Sequence, residues 1–289
     1  MPQPASHTLT LNGLRVRYLA AASDTSRPPL ILLHGGGTDS ATLSWGGLIG
    51  PLAARCRVFA PDMPGYGESD RPPGAPYTLD YFARIALAFA DTLGLDRCDV
   101  AGISMGGGIS LTLALNHPDR IGRMVLVDTY GIQPDYPPHF LSYLFVRAPL
   151  LTELTYLTVR NRAAARATLG QLIKTPSALT GDLVDEIMAE ARRARAGKAF
   201  NAFQKHEVLP GRLRTNYMAR LGEIRAPALI VHGEADTLVP LKYAEEACRR
   251  IPDCRLEVLS GAGHWAQRER PHQFVRLVDK FLTSAESVG

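Results

Sequence analysis

A doubly wound α/β domain is the fold this chain of 289 residues predicts. Three observations predict it: short continuous apolar runs, amphipathic stretches of helical period between them, and an alternating hairpin at the N-terminus. Strands buried on both faces of a mostly parallel sheet read as continuous apolar runs. Strand and helix in alternation, joined by right-handed crossovers, build that architecture.

The hairpin comes first. His7–Leu11 and Leu14–Leu19 alternate around Asn12-Gly13, a turn dipeptide that tolerates positive φ. The apolar runs that follow are Pro29–Leu33, Arg57–Ala60, Cys98–Ile103, Met124–Val127, Ala228–Val231 and Arg255–Leu259. Helical patterns lie at Leu79–Leu93, Met105–Asn116, Leu241–Arg250 and Pro271–Leu282, the last with proline in its first turn. Between residues 132 and 217 no strand pattern occurs, only helical stretches such as Asn161–Lys174 and Gly181–Arg195. The expected organisation is therefore a core of residues 1–131 and 218–289 with a helical cap of residues 132–217 inserted into it. The tail beyond Thr283 is expected to fray.

Composition narrows the function classes. The chain is 46% hydrophobic and 21% charged, with a formal net charge of +4. This is ordinary for one well-filled domain. The densest basic cluster, Arg192-Arg193-Ala194-Arg195, sits in a helical pattern and reads as a solvated face, so no nucleic-acid partner is expected. None of the four cysteines forms a C-x-x-C pair or stands near histidine at zinc-finger spacing. Cys56, Cys98 and Cys248 read as small apolar residues, so neither disulfides nor a zinc site is expected. No secretory leader and no apolar run of membrane length is visible, which makes the reducing cytoplasm the expected compartment, without a membrane partner.

The chemistry gathers at four motifs. Gly102-Ile103-Ser104-Met105-Gly106 follows an apolar strand and opens a helix, so it occupies a strand-to-helix turn. Such a turn strains the backbone of Ser104 and exposes its hydroxyl at the positive end of a helix dipole. A serine hydroxyl needs a base to take its proton. Of the eight histidines, His264 stands apart, in a glycine-rich loop between the last core strand and the last helix. His34 and His232 read as structural, His117 as a helix-end residue, and the other four as surface residues. Asp236, after the strand Ala228–Val231, is the expected orienting acid, with Asp128 its rival. The order Ser–Asp–His results. His34-Gly35-Gly36-Gly37 follows the first core strand and places the Gly36 N–H, together with that of Met105, to hold a developing oxyanion. Gly37, Ile103 and Trp265 are the expected substrate contacts.

With these motifs the chain resembles the α/β-hydrolase superfamily over nearly its whole length. Pro61-Asp62-Met63-Pro64-Gly65-Tyr66-Gly67-Glu68-Ser69 looks like that family's D-x-x-G-x-G-x-S loop, and Gly233 to Pro240 like its G-x-x-D-x-x-V-P acid segment. Serine at 104 argues against epoxide hydrolases and haloalkane dehalogenases, which carry aspartate there. His34 to Gly37, Ser104 to Gly107 and Gly263-His264-Trp265-Ala266-Gln267 resemble the meta-cleavage-product hydrolases, which cut a C–C bond in vinylogous diketones. Two departures stand out. Ile103 occupies the position of that family's asparagine, and Ile187 aligns with its lid arginine, with Arg192 and Arg193 nearby.

The expectation that results is a serine hydrolase of small or medium carboxylic esters, working through an acyl-enzyme on a small-molecule substrate. It needs no metal and no organic cofactor. C–C hydrolysis of a meta-cleavage diketone is the enzymatic alternative, and a ligand-binding protein on a hydrolase scaffold the non-enzymatic one. Self-association into a homo-oligomer stays open.

Overall fold

The computed structural model describes residues 1–23, 27–134, 139–148, 151–152, 159, 161–193 and 196–284. Arg195 and the tail beyond Ser284 lie outside the described residues. The strands are β1 (Ala5–Leu11), β2 (Leu14–Ala21), β3 (Leu30–Leu33), β4 (Val58–Pro61), β5 (Cys98–Ile103), β6 (Ile121–Val127), β7 (Ala228–Gly233) and β8 (Cys254–Leu259). They form one sheet in the order β1-β2-β4-β3-β5-β6-β7-β8. β2 runs antiparallel to β1 and to β4, and every neighbouring pair from β4 onward is parallel. Each expected strand is present, with ends shifted by a few residues at most. Asn12 and Gly13 take φ values of 49° and 82°, as the tight β1–β2 turn requires.

Helices cover both faces. The α-helices outside the β6–β7 connection are α1 (Ala41–Ala53), α2 (Leu79–Thr92), α3 (Met105–Asn116), α8 (Leu241–Arg250), α9 (Ala266–Glu269) and α10 (Pro271–Thr283). The connection itself carries α4 (His139–Arg147), α5 (Arg162–Leu172), α6 (Gly181–Arg193) and α7 (Ala196–Glu207). Strand alternation splits the core into two layers. Ile31, Leu33, Val100, Met124 and Ile230 face α2, α3 and α8, whereas Leu30, Leu32, Ala101, Val125 and Val231 face α1 and α10. Trp45 and Phe274 lie in the second layer with no exposed surface. Each fully buried large apolar side chain contributes roughly 1.5–3 kcal/mol.

Helix α1 has no counterpart in the sequence reading. Gly46, Gly47, Gly50 and Pro51 break its helical pattern, and nine of its 13 residues are buried, so it shows no polar face. Ser40 caps it, accepting from the Leu43 amide at 3.2 Å. The cysteine expectation is also corrected. Cys248 and Cys254 form a disulfide between the end of α8 and the start of β8. The short turn between these elements brings their Cα atoms to 5.3 Å, well within bonding reach. Cys56 and Cys98 remain free and buried.

Among the described residues no helix is long and apolar enough to cross a membrane. One buried acid works against the fold. Burial pushes the Glu190 carboxyl on α6 up to about 7, with further upward pressure from Asp62 and Asp39 and relief from Ser40 and Arg193. A carboxyl raised in the folded state destabilises progressively as pH climbs from its unfolded value near 4.5 to about 7. Glu190→Gln should therefore raise Tm by about 5 °C at pH 8, where roughly 3 kcal/mol is at stake. The gain should vanish at pH 4, and thermal melts across that range check the sign.

Candidate active site

Ser104 stands on the turn between β5 and α3 with φ 50° and ψ −115°. A non-glycine residue in this region stores about 1–3 kcal/mol of strain. Three hydrogen bonds hold it there. The Ser104 amide donates to the Val127 carbonyl at 2.9 Å, and the Ser104 carbonyl accepts from Gly108 at 3.0 Å and Tyr130 at 3.1 Å. The turn closes only because its flanking residues lack side chains. A Cβ on Gly102 would lie 2.2 Å from the Gly106 carbonyl oxygen, and one on Gly106 would lie 2.1 Å from that of Leu33.

Two further loops meet Ser104 at the carboxyl ends of the parallel strands. His264 is 6% exposed, and its Nδ1 is 2.8 Å from Asp236 Oδ2. Asp236 Oδ1 accepts from the Leu238 and Val239 amides at 2.8 and 3.1 Å. Burial alone would raise the Asp236 carboxyl, but the His264 hydrogen bond and charge bring it below the ordinary carboxylate value. Burial lowers the His264 imidazole, yet the bond to Asp236 and the charges of Asp236, Asp128 and Asp39 leave it above the ordinary histidine value. With Nδ1 occupied, Nε2 is the nitrogen left for proton transfer. Ser104 Oγ and this imidazole are not hydrogen-bonded to each other, and both line one cavity of about 510 Å³. Catalytic hydrogen bonds of this kind often tighten only when substrate is bound.

Asp128, the rival acid, does something else. Fully buried at the end of β6, it accepts from the Gly233 amide at 2.8 Å and from the Ala266 amide at 3.0 Å. One carboxylate thus ties the Asp236 loop to the His264 loop. Glu269 is a second tie. It accepts from the Gly263 amide at 2.7 Å and from the Lys174 and Thr175 amides at 3.0 and 2.7 Å. Neither role had a sequence signal, because an acid that bonds backbone amides follows no motif.

Asp128, His232 and Asp236 bring one ligand-type atom each within 4.8 Å of one another. Most of their atoms are already engaged. Asp128 accepts from two amides, Asp236 from two amides and His264, and His232 Nε2 donates to the Val239 carbonyl at 2.8 Å, which leaves His232 Nδ1 without a hydrogen bond among the described residues. The cluster reads as a hydrogen-bond network.

The glycine loop after β3 approaches from the other side. His34 Nε2 accepts from the Met63 amide at 3.0 Å and Nδ1 donates to the Gly35 carbonyl at 2.7 Å, so this histidine is structural as expected. Asp39 accepts from the Gly35 amide at 2.8 Å. The amides of Gly36 and Met105, the expected oxyanion donors, have no hydrogen-bond partner among the described residues. Phe200 of α7 lies over Gly36, where a Cβ would come within 2.4 Å of its ring.

The expected substrate contacts are corrected. Ile103 has no exposed surface and Trp265 is 5% exposed, and both pack into the apolar layer under α1 and α10. Strand alternation explains Ile103: Gly102 faces α3, so its neighbour faces away from it. Gly37, with φ 82°, does not line the cavity. Of the lid candidates, Ile187 is buried in the same layer, Arg192 is exposed, and Arg193 pairs with Glu68 at 2.9 Å on the surface. The cavity is walled instead by α4, α7 and the segment after β6, with Phe145, Val146, Phe200, Phe203, Gln133 and Glu207 among its residues.

Comparison with known proteins places this geometry. A family model described as alpha/beta hydrolase fold matches residues 28–271. A 2-hydroxymuconate semialdehyde hydrolase of Pseudomonas sp. (strain CF600) is 31% identical, covering 90% of this chain and 89% of the relative. An enzyme of the same name from Pseudomonas putida is 30% identical with the same coverage. Among solved structures, a membrane phospholipase A described as a bacterial virulence factor is 27% identical with a TM-score of 0.78, covering 96% of this chain and 86% of that one.

The close approach at the Ser104 turn makes a strong demand on stability. Gly106→Ala forces a methyl into the β3 carbonyl, an overpacking of about 1–3 kcal/mol. Its Tm should fall by about 5 °C or more. A melt unchanged from wild type would show that the turn is looser than the distances indicate.

Proposed function

The chain belongs to the α/β-hydrolase fold family, and from that premise we propose that it is a serine hydrolase of meta-cleavage-type vinylogous diketones. The observation that carries the hydrolase reading is the His264–Asp236 hydrogen bond at a cavity that Ser104 also lines. The relatives named for 2-hydroxymuconate semialdehyde, at 30–31% identity over nine tenths of the chain, support the C–C bond as the one cut. They move the ester, which led in the sequence reading, to second place.

His264 Nε2 takes the Ser104 proton as Oγ attacks the ketone carbon, and the Gly36 and Met105 amides receive the oxyanion. On collapse, the bond from that carbon to the neighbouring carbon breaks. Its electrons enter the conjugated second carbonyl, and the imidazolium returns the proton to the departing carbon chain. Water, deprotonated by His264, then attacks the acyl-enzyme and frees the acid and Ser104. His264 does all the proton transfer, while Asp236 fixes its tautomer and stabilises the imidazolium.

Ester hydrolysis remains as a second reading on one specific observation. Among the described residues lining the cavity there is no Lys or Arg to meet a substrate carboxylate, and there is a buried glutamate. The similarity to a phospholipase points the same way. The two readings share the triad and differ in the leaving group.

A fluorophosphonate probe should label wild type and leave Ser104→Ala unlabelled, while an unreactive wild type would favour a binding protein on this scaffold. Ser104→Ala should lower kcat by about six orders of magnitude, and Asp236→Asn by about four. Asp128→Asn should be milder, since it removes a tie between loops and leaves the His264–Asp236 bond in place. The acid limb of kcat/KM should fall above the ordinary imidazole range and move down in Asp236→Asn, because the aspartate holds the proton on His264. A panel pairing p-nitrophenyl esters with a meta-cleavage diketone decides the bond. Higher kcat/KM for the ester would put ester hydrolysis first.

A further inference from the structure

Most of the cavity wall is hydrocarbon, and apart from Ser104 and His264 its polar side chains are Tyr130, Gln133, Ser142, Gln204 and Glu207. Tyr130 and Gln133 come from the segment that follows β6, and Glu207 is the last residue of α7. This segment is bound directly to the nucleophile's turn, since the Tyr130 amide donates to the Ser104 carbonyl at 3.1 Å. Glu207 is 2% exposed, its Oε2 accepts from the Tyr130 hydroxyl at 2.9 Å and the Thr215 amide at 3.1 Å, and its Oε1 lies 3.7 Å from His206 Nε2. Burial, and then the charge and hydrogen bond of Glu207, hold the Tyr130 phenol well above its ordinary value, so the tyrosine stays a donor to the carboxylate. Gln133 is 3% exposed, and its Oε1 has no hydrogen-bond partner among the described residues.

A buried amide oxygen without a partner is costly unless a ligand supplies a donor. A buried carboxylate facing the same space repels a second negative charge, with little water to screen it. Phe200, Phe203, Val146 and Leu213 complete the wall and favour an apolar body on the ligand.

We propose that Gln133 and Glu207 form an acceptor pole in this cavity that binds a hydroxyl-type donor on an apolar ligand and turns away a carboxylate in the same place. The inference deepens the proposed function and rests on that reading only in taking the cavity to be the substrate site. It constrains the substrate group that sits against α7, whichever bond is cut.

Calorimetric titration with 4-phenylbutanol and 4-phenylbutanoate tests the pole without turnover. Wild type should bind the alcohol at least about tenfold more tightly than the carboxylate. Glu207→Gln keeps the shape and removes the charge, so the gap should close to about threefold, through tighter binding of the carboxylate. Gln133→Leu leaves the Tyr130–Glu207 bond untouched. It should weaken the alcohol several-fold and leave the carboxylate unchanged, and it decides the matter if Glu207→Gln fails to fold. Equal binding of the two ligands by wild type, no binding of the alcohol, or an unchanged ratio in a folded variant would overturn the proposal. Because neither ligand reacts with Ser104, an intact preference beside absent fluorophosphonate labelling would sink the hydrolase reading alone.

Discussion

Backbone pressed against backbone at the β5–α3 turn is the constraint from which the rest of the site is built. Gly102 and Gly106 let the start of α3 sit against β3 and its own strand at distances no side chain would allow. That contact turns the chain so sharply that Ser104 takes a positive φ. Its strain is held by hydrogen bonds to β6 and to the segment just after it. The same contact sets the Met105 amide at a helix N-terminus beside the glycine loop of β3, so one close approach positions both the candidate nucleophile and a candidate oxyanion donor.

Around that turn, buried acids add to what the sheet provides. The Asp236 and His264 loops follow the paired strands β7 and β8, and the Ala235 amide of one donates to the Ala262 carbonyl of the other at 2.8 Å. Asp128 joins them through one amide from each, and Glu269 anchors the His264 loop to the segment after α5. Carboxylates suit this task because each oxygen accepts more than one hydrogen bond, and bonds from amides to a charged acceptor are stronger than neutral ones. Asp128 also helps keep His264 basic, so a group that ties the loops together also acts on the imidazole.

The cavity adds a chemical condition to the family's shared machinery. Ser104 and the His264–Asp236 pair border one cavity, and fold does not fix the substrate. The walls from α4 and α7 are mostly apolar, and among the described lining residues there is no Lys or Arg. The relatives' names support the proposed C–C cleavage, while the lining supports the proposed preference for an uncharged group against α7. The two proposals bear on one substrate, the first on the bond that breaks and the second on the group held beside it.

The sequence by itself determined the succession of strands and helices, the position of Ser104 on its turn and the loops that carry Asp236 and His264. These are local properties: apolar runs, glycine at a close approach, and loops at strand ends leave a pattern along the chain. The sequence preferred Asp236 to Asp128, but both follow core strands, and tertiary contact is what shows that Asp236 reaches the imidazole while Asp128 bonds backbone amides. Helix α1 was hidden because full burial erases amphipathic periodicity. Ile103 and Trp265 could be assigned to the core only once the faces of the sheet were known. The pairing of Cys248 with Cys254 depended on the turn between α8 and β8, and the Tyr130–Glu207 bond on residues 77 positions apart meeting at a cavity. Contacts of that kind are set by packing between elements, and no short stretch of chain encodes them.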